Sequence, residues 1–249
     1  MTRLLYWLFK FVLIGPFLRL TSRHVVTGKE NFPREGSALL VGNHLSVGDW
    51  LFMPLLMPRR VTFLAKSDYF TGTCIKGMLS RLFFAGSGQH PIDRTNADAA
   101  QAALNAGLEV LNKGEILCIY PEGTRSPDGR LYRGKTGPAR LAMKAGVPVI
   151  PIGVTGTGDY IRAICRLRPG RRAEVRVMVG EPLDITPWAG REGERAAERE
   201  ITDELMRRIQ ALTGQEYVSG VYGADMKKQF DAVRDSGHNL LDQPVDGQS

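Results

Sequence analysis

SALLVGNHLSVGDWLFMPLLM, residues 37–57, sets two apolar runs on either side of a polar turn. The first, SALLVG (37–42), is short and continuous, as a strand buried on both faces requires, and the second, GDWLFMPLLM (48–57), is long enough for a helix. Strand, turn and helix in that order are the building unit of a parallel sheet. The unit recurs along the chain. VTFLA (61–65), EILCIY (115–120), VPVIPIGV (147–154) and AEVRVMVG (173–180) read as further strands. Helical segments lie between them at ADAAQAALNAGLEVLNKG (97–114) and TGPARLAMKAG (136–146). Ala100, Ala103, Leu104, Leu108 and Leu111 share one face of the first of these, and Gly114 and Gly146 stand where helices stop. Pro148 and Pro151 cannot donate to a ladder, so they mark a strand start and an edge, or a wall of the site. The expected fold is α/β, a mainly parallel central sheet flanked by helices.

Open sheets of this kind bind ligands beyond the carboxyl ends of their strands, where loops from different strands converge. The chain meets that requirement at three successive strands. SALLVG runs into Asn43 and His44, VTFLA into Lys66, and EILCIY into Pro121-Glu122-Gly123-Thr124-Arg125. In NHLSVGD (43–49) the histidine follows a buried strand, and histidine is the side chain that exchanges protons near neutral pH. A base needs an orienter, and Asp49 reaches back to the imidazole if His44 precedes the helix and Asp49 lies in its first turn. Ser46-Val47-Gly48-Asp49 is also S-x-x-D before an apolar run, a helix-capping pattern, and both roles are compatible. YPEGTRS (120–126) offers an anionic head group Arg125 for a bidentate grip, Thr124 as a donor and Gly123 for close backbone approach. Its bland alternative is a Glu-Gly turn with a surface arginine. In GQHPIDR (88–94), Arg94 is a further candidate phosphate ligand, and His90 beside Pro91 reads as a loop residue.

A chain of 249 residues with 43% hydrophobic residues supports one core. Cys74, Cys118 and Cys165 show no C-x-x-C spacing, so neither a disulfide framework nor a metal site is indicated and the compartment reads as reducing. The net charge of +7 favours an anionic partner. The opening MTRLLYWLFKFVLIGPFLRL narrows that partner to a membrane surface and away from nucleic acid, because aromatic and basic residues are interleaved as in a helix lying in the interface. Lys10 and Gly15-Pro16 divide it, which argues against a simple span. A core helix packed on the domain is the alternative. RAICRLRPGRR (162–172) is a second basic run, either a contact for anionic phosphates or a solvated loop face. From Arg191 to Leu212 the pattern is a charged amphipathic helix, and beyond Asp225 the chain turns polar.

Taken in order, N-H-x-x-x-x-D, G-x-x-x-x-D-R, Y-P-E-G-T-R-S and V-P-V-I-P resemble the blocks of the PlsC-like glycerolipid acyltransferase family, the 1-acyl-glycerol-3-phosphate acyltransferases. They span Asn43 to Pro151. The resemblance implies acyl transfer from acyl-CoA or acyl carrier protein to the sn-2 hydroxyl of lysophosphatidate, with no cofactor beyond the donor and no acyl-enzyme. Glycerol 3-phosphate, another lysophospholipid or a lyso-ornithine lipid are alternative acceptors. It makes His44 the base and Asp49 its orienter, and places Lys66, Arg94, Glu122, Gly123, Thr124 and Arg125 at the acceptor. His90-Pro91 stand where large apolar residues are commoner in the family. The implied organisation is a membrane-associated helix over 1–24, an acyltransferase domain over 25–224 and a polar, frayed tail over 225–249. The implied location is the cytoplasmic face of the plasma membrane, peripheral or held by a single N-terminal anchor.

GRLYRGKTG (129–137) also matches the nucleotide-binding pattern G-x-x-x-x-G-K-T. A true phosphate loop begins where its strand ends, whereas EILCIY ends at Tyr120 and the turn SPDG intervenes. The stretch therefore reads as the loop after the acceptor block, with Lys135 a candidate lipid-phosphate contact. Two readings from other classes are an NTPase and a non-catalytic membrane-binding protein.

Overall fold

A computed structural model describes residues 2–70, 75–92, 99–165 and 172–235. The chain opens with α1 (Thr2–Leu8), a π turn (Phe9–Leu13) and α2 (Ile14–Thr21), then β1 (Ser22–Thr27), β2 (Ala38–Gly42), α3 (Asp49–Leu56) and β3 (Val61–Lys66). It continues through α4 (Ile75–Gly86), β4 (Gln89–Ile92), α5 (Ala99–Asn112), β5 (Ile116–Ile119), β6 (Leu131–Arg133) and α6 (Gly137–Ala145). The last elements are β7 (Val149–Thr155), α7 (Thr157–Cys165), β8 (Ala173–Val179), α8 (Arg195–Thr213), β9 (Tyr217–Tyr222) and α9 (Gly223–Asp235).

A seven-stranded sheet runs in the order β1-β8-β7-β2-β5-β3-β4, and β6 and β9 form a separate parallel pair. Every pairing in the large sheet is parallel except β7 with β8. The carboxyl ends of β2, β5 and β3 thus open on one edge. Continuous apolar runs form the middle of the sheet because both faces there are covered. Alternation divides them: Leu39, Val41, Leu117 and Val149 face α5, α6 and α8, while Leu40, Ile116, Cys118 and Ile150 face Met53 of α3 and Met57 just after it. In α8, Ile201, Leu205 and Ile209 recur every fourth residue and are fully buried, which turns a highly charged helix into a core helix. Beside them buried Glu198 accepts two hydrogen bonds from Arg140 of α6, at 2.9 and 3.0 Å.

Several expectations change at this level. Gly15-Pro16 does not break the N-terminal helix, for Arg3–Thr21 is one apolar helix of 19 residues with a mean hydropathy of 1.5, long and apolar enough to cross a membrane. The π turn just before Pro16 widens the backbone at the carbonyl of Val12, which a proline ring four residues on would otherwise crowd. One side of this helix packs on the domain: Tyr6 is buried and Lys10 donates to the carbonyl of Met57. The other side leaves Leu4, Leu8, Phe11, Val12, Leu13, Phe17 and Leu20 exposed. His90 and Pro91 lie in β4, at the sheet edge, where a missing N–H is harmless. Pro151 is in the central strand β7, and it is tolerated because pairing with β8 starts only at Ile152. Within α5 the buried stripe is Leu104, Gly107, Val110 and Leu111, and Ala100 is exposed. The segment read as a frayed tail is helical to Asp235, joined to the domain through β9; residues 236–249 lie outside the described ones. GRLYRGKTG contains β6, which pairing with β9 makes a strand.

Candidate active site

Where β2 ends, Asn43 is wholly buried, and its amide continues the sheet in place of backbone. Asn43 Nδ2 donates to the Val154 carbonyl at 2.8 Å, and Asn43 Oδ1 accepts the Val154 N–H at 2.8 Å. This pins the next residue, His44, over the edge of the sheet. The chain then turns into α3, whose first residue is Asp49. The Asp49 carboxylate is also fully buried, and an isolated charge there would cost several kcal/mol. Four donors offset that cost. Oδ2 accepts from His44 Nδ1 at 2.7 Å, from the Leu45 N–H at 2.7 Å and from the Ser46 N–H at 3.0 Å. Oδ1 accepts from the Thr157 hydroxyl. Ser46 Oγ accepts the Gly48 N–H at 2.9 Å, so the capping and orienting readings of NHLSVGD both hold. Because every neighbour of Oδ2 is a donor, His44 Nδ1 carries the proton, and Nε2 is left with its lone pair to accept one.

From the start of α7, which packs beside α3 on the same face of the sheet with Tyr160 edge-on to Phe52, Thr157 reaches Asp49. Gly156 before it takes φ of +80°, and a Cβ there would stand 1.9 Å from the Glu174 carbonyl, so only glycine makes this turn. The Tyr120 ring stacks on the His44 imidazole, centroids 4.1 Å apart and planes within 8°. Behind Tyr120 lies Phe63 of β3, at 5.9 Å. The Tyr120 hydroxyl is buried without a hydrogen-bond partner among the described residues.

Glu122 occupies a different place from the one the sequence resemblance implies. It is 1% exposed, and its two oxygens accept backbone N–H groups, Oε1 from His44 and Oε2 from Tyr132, each at 3.0 Å. Burial raises its carboxyl from 4.5 to about 7, outweighing those two hydrogen bonds, with Asp49 and Asp128 raising it further. Glu122 thus ties the histidine turn to β6, while the Ser126 N–H donates to the His44 carbonyl at 2.8 Å and closes the loop on the other side. At Gly123 the chain turns left-handed, φ +70°, with its N–H on the Tyr120 carbonyl at 3.0 Å. This leaves room for Lys135, whose Cε and Nζ would lie 3.2 Å from a Cβ at Gly123. Thr124 lies against the turn at Gly223, and Arg125 and Lys135 are exposed. Lys66 closes β3 at the same edge, and Arg94 lies outside the described residues, as does most of the basic run 162–172.

His44, Asp49, Glu122, Gly123 and Lys135 are brought together. Thr157 and the Tyr120 stack were missed by reading the sequence; the strand-end rule that found His44 would have found Thr157, two residues past β7. The arrangement is a histidine of fixed tautomer that can act as a base, on the same loop cluster as the exposed cations Arg125 and Lys135.

A family model described as acyltransferase matches residues 23–155. A chloroplastic 1-acyl-sn-glycerol-3-phosphate acyltransferase of Arabidopsis thaliana is 33% identical over 149 residues, 59% of this chain and 39% of the relative. The 1-acyl-sn-glycerol-3-phosphate acyltransferase of Borreliella burgdorferi is 23% identical over 188 residues, 76% of this chain and 72% of that one. The crystal structure of the 1-acyl-sn-glycerophosphate acyltransferase PlsC from Thermotoga maritima is similar with a TM-score of 0.57 and 26% identity, over 84% of this chain and 80% of that one. The chain spans less than half the length of two chloroplastic relatives it matches, that of Arabidopsis thaliana (39%) and one of Brassica napus (44%).

Proposed function

Because the chain belongs to the acyltransferase family, we propose that it moves a fatty acyl group from acyl-CoA or acyl carrier protein to the sn-2 hydroxyl of lysophosphatidate, giving phosphatidate. The observation that carries the reading is the His44 Nδ1 to Asp49 Oδ2 hydrogen bond of 2.7 Å, which leaves Nε2 free at the sheet edge. His44 Nε2 takes the proton of the acceptor hydroxyl as its oxygen attacks the thioester carbonyl. The imidazolium so formed is stabilised by buried Asp49 and by the face of Tyr120, and it returns the proton to the departing thiolate. The attack is direct and needs no acyl-enzyme or cofactor. Arg125 and Lys135 hold the acceptor phosphate, with Thr124 as a further donor and Lys66 and Arg94 as further candidate ligands. Glu122 serves by position: buried on two N–H groups, it supports the turn that carries His44.

The acceptor assignment follows the names of the relatives, and an acceptor screen tests it. Free CoA release by the lipid-reconstituted protein is followed with lysophosphatidate, glycerol 3-phosphate and neutral lysolipids. Lysophosphatidate is expected to give the highest kcat/KM, and His44→Ala to abolish release at an unchanged melting temperature. Preference for a neutral lysolipid would refute the phosphate-binding part, and an active His44→Ala the catalytic part. The exposed apolar row of the N-terminal helix, with Met78 and Leu82 of α4 also exposed, supports a site at a membrane surface, where the acceptor lipid enters without leaving the bilayer.

A further inference from the structure

The second hydrogen on Asn43 Nδ2 does not go to the sheet. It is donated to Gln215 Oε1 at 2.7 Å, from a residue 172 positions away in sequence. Gln215 stands between the end of α8 and the start of β9, well past the matched span 23–155. Its own amide is donated onward, Nε2 to the Gly129 carbonyl at 2.6 Å. One side chain therefore bridges the turn that carries the base and the loop that follows Glu122-Gly123-Thr124-Arg125. The neighbouring backbone repeats the tie, for the Leu131 N–H donates to the Glu216 carbonyl at 2.9 Å and so opens the β6–β9 ladder.

We propose that Gln215 is a positioning residue of the acyl-transfer site, acting through Asn43 on His44 and through Gly129 on the acceptor loop. The inference rests on His44 being the base. Asn43 is fully buried, so its Nδ2 has no water to turn to if Gln215 is lost; it can keep only the Val154 carbonyl. A loosened Asn43 lets the strand end carrying His44 drift relative to Asp49. Displacement of a reacting group by a fraction of an ångström lowers turnover and leaves donor binding unaffected. The bridge also explains why a charged amphipathic helix and a short strand far from the motif blocks belong to the catalytic unit. They deliver one amide to its centre.

Gln215→Met keeps the shape and removes both hydrogen bonds; Gln215→Glu keeps an oxygen for Asn43 Nδ2 and loses the donor to Gly129. Thiol release is measured with lysophosphatidate for both, beside wild type and His44→Ala, and the His44 ring resonances are titrated by NMR. Gln215→Met is expected to lower kcat about tenfold, the value of one buried hydrogen bond, with the KM for acyl-CoA unchanged. In Gln215→Glu, kcat should stay within about threefold of wild type while the KM for lysophosphatidate rises, since the link to Asn43 survives and the link to the loop does not. Wild-type kcat in Gln215→Met, or equal kcat losses in both variants, would overturn the proposal. An inactive wild type, or an active His44→Ala, would instead count against the acyl-transfer reading. The NMR arm decides in that case: a His44 titration moved by Gln215→Met supports the positioning role, and one superimposable on wild type overturns it.

Discussion

Removing the Glu122 side chain separates two roles that the sequence alone leaves confounded, contact with the acceptor and support of the base. In Glu122→Ala the buried N–H groups of His44 and Tyr132 lose their acceptors, each bonded at 3.0 Å in the wild type. Each orphaned donor costs about 1–3 kcal/mol. If the His44 share is felt in the transition state, kcat falls about 5- to 150-fold. The KM for lysophosphatidate is expected to stay within about twofold, because a carboxylate that is 1% exposed touches no ligand. The assay is initial-rate thiol release against acceptor concentration, with the melting temperature as the fold control. A KM raised tenfold at full kcat would refute the positioning role and restore Glu122 to the acceptor. Glu122→Gln supplies the pH arm. The wild-type carboxyl rises from 4.5 to about 7 on folding, so its protonated form favours the folded state. That contribution is complete below pH 4.5 and is lost as pH rises through about 7, roughly 3 kcal/mol in all. The amide does not titrate. Glu122→Gln turns its NH2 towards one of the two N–H groups, a cost independent of pH, so its melting temperature relative to the wild type is expected to rise between pH 4.5 and about 7; a difference independent of pH would show that the group is not buried as described.

Asp49→Asn replaces the buried carboxylate on His44 Nδ1 by a neutral amide, which removes the charge that would stabilise an imidazolium. Turnover is expected to fall about 10³- to 10⁴-fold with donor KM retained, as in triads that lose their orienting aspartate, and a smaller loss than tenfold would remove Asp49 from that role. Arg125→Ala and Lys135→Ala are each expected to raise the acceptor KM about 10- to 100-fold, the size of one charge-assisted hydrogen bond, at nearly constant kcat. ATP should not change the melting temperature of either the wild type or Lys135→Ala, and a nucleotide shift lost in the variant would revive the phosphate-loop reading. Placing glutamate at exposed Phe11 and Phe17 together should lower sedimentation with phosphatidylglycerol vesicles by at least about 100-fold, at about 1.5–3 kcal/mol for each aromatic withdrawn from lipid. Unchanged sedimentation would locate membrane contact elsewhere.

The sequence by itself determines what depends on near neighbours. The runs of β2, β3, β5 and β7 are readable because a strand covered on both faces needs continuous apolar residues, β8 by its alternation, and their order with the helices dictates a mainly parallel sheet. His44 and Asp49 are readable as a pair because only five positions separate them across one strand-to-helix turn. The short strands β1, β4, β6 and β9 are not, since mixed sequences such as QHPI and LYR become strands only when a partner supplies the ladder. The direction in which Glu122 turns is likewise absent from P-E-G-T-R. It is decided when folding brings up the N–H of His44, 78 positions away, and that of Tyr132. Thr157 on Asp49 and Gln215 on Asn43 are separated by 108 and 172 positions. No local period encodes such contacts, because a hydrogen bond between distant segments is specified by the packing of whole elements. The local pattern names the His44–Asp49 pair, and the tertiary structure decides what holds it in place.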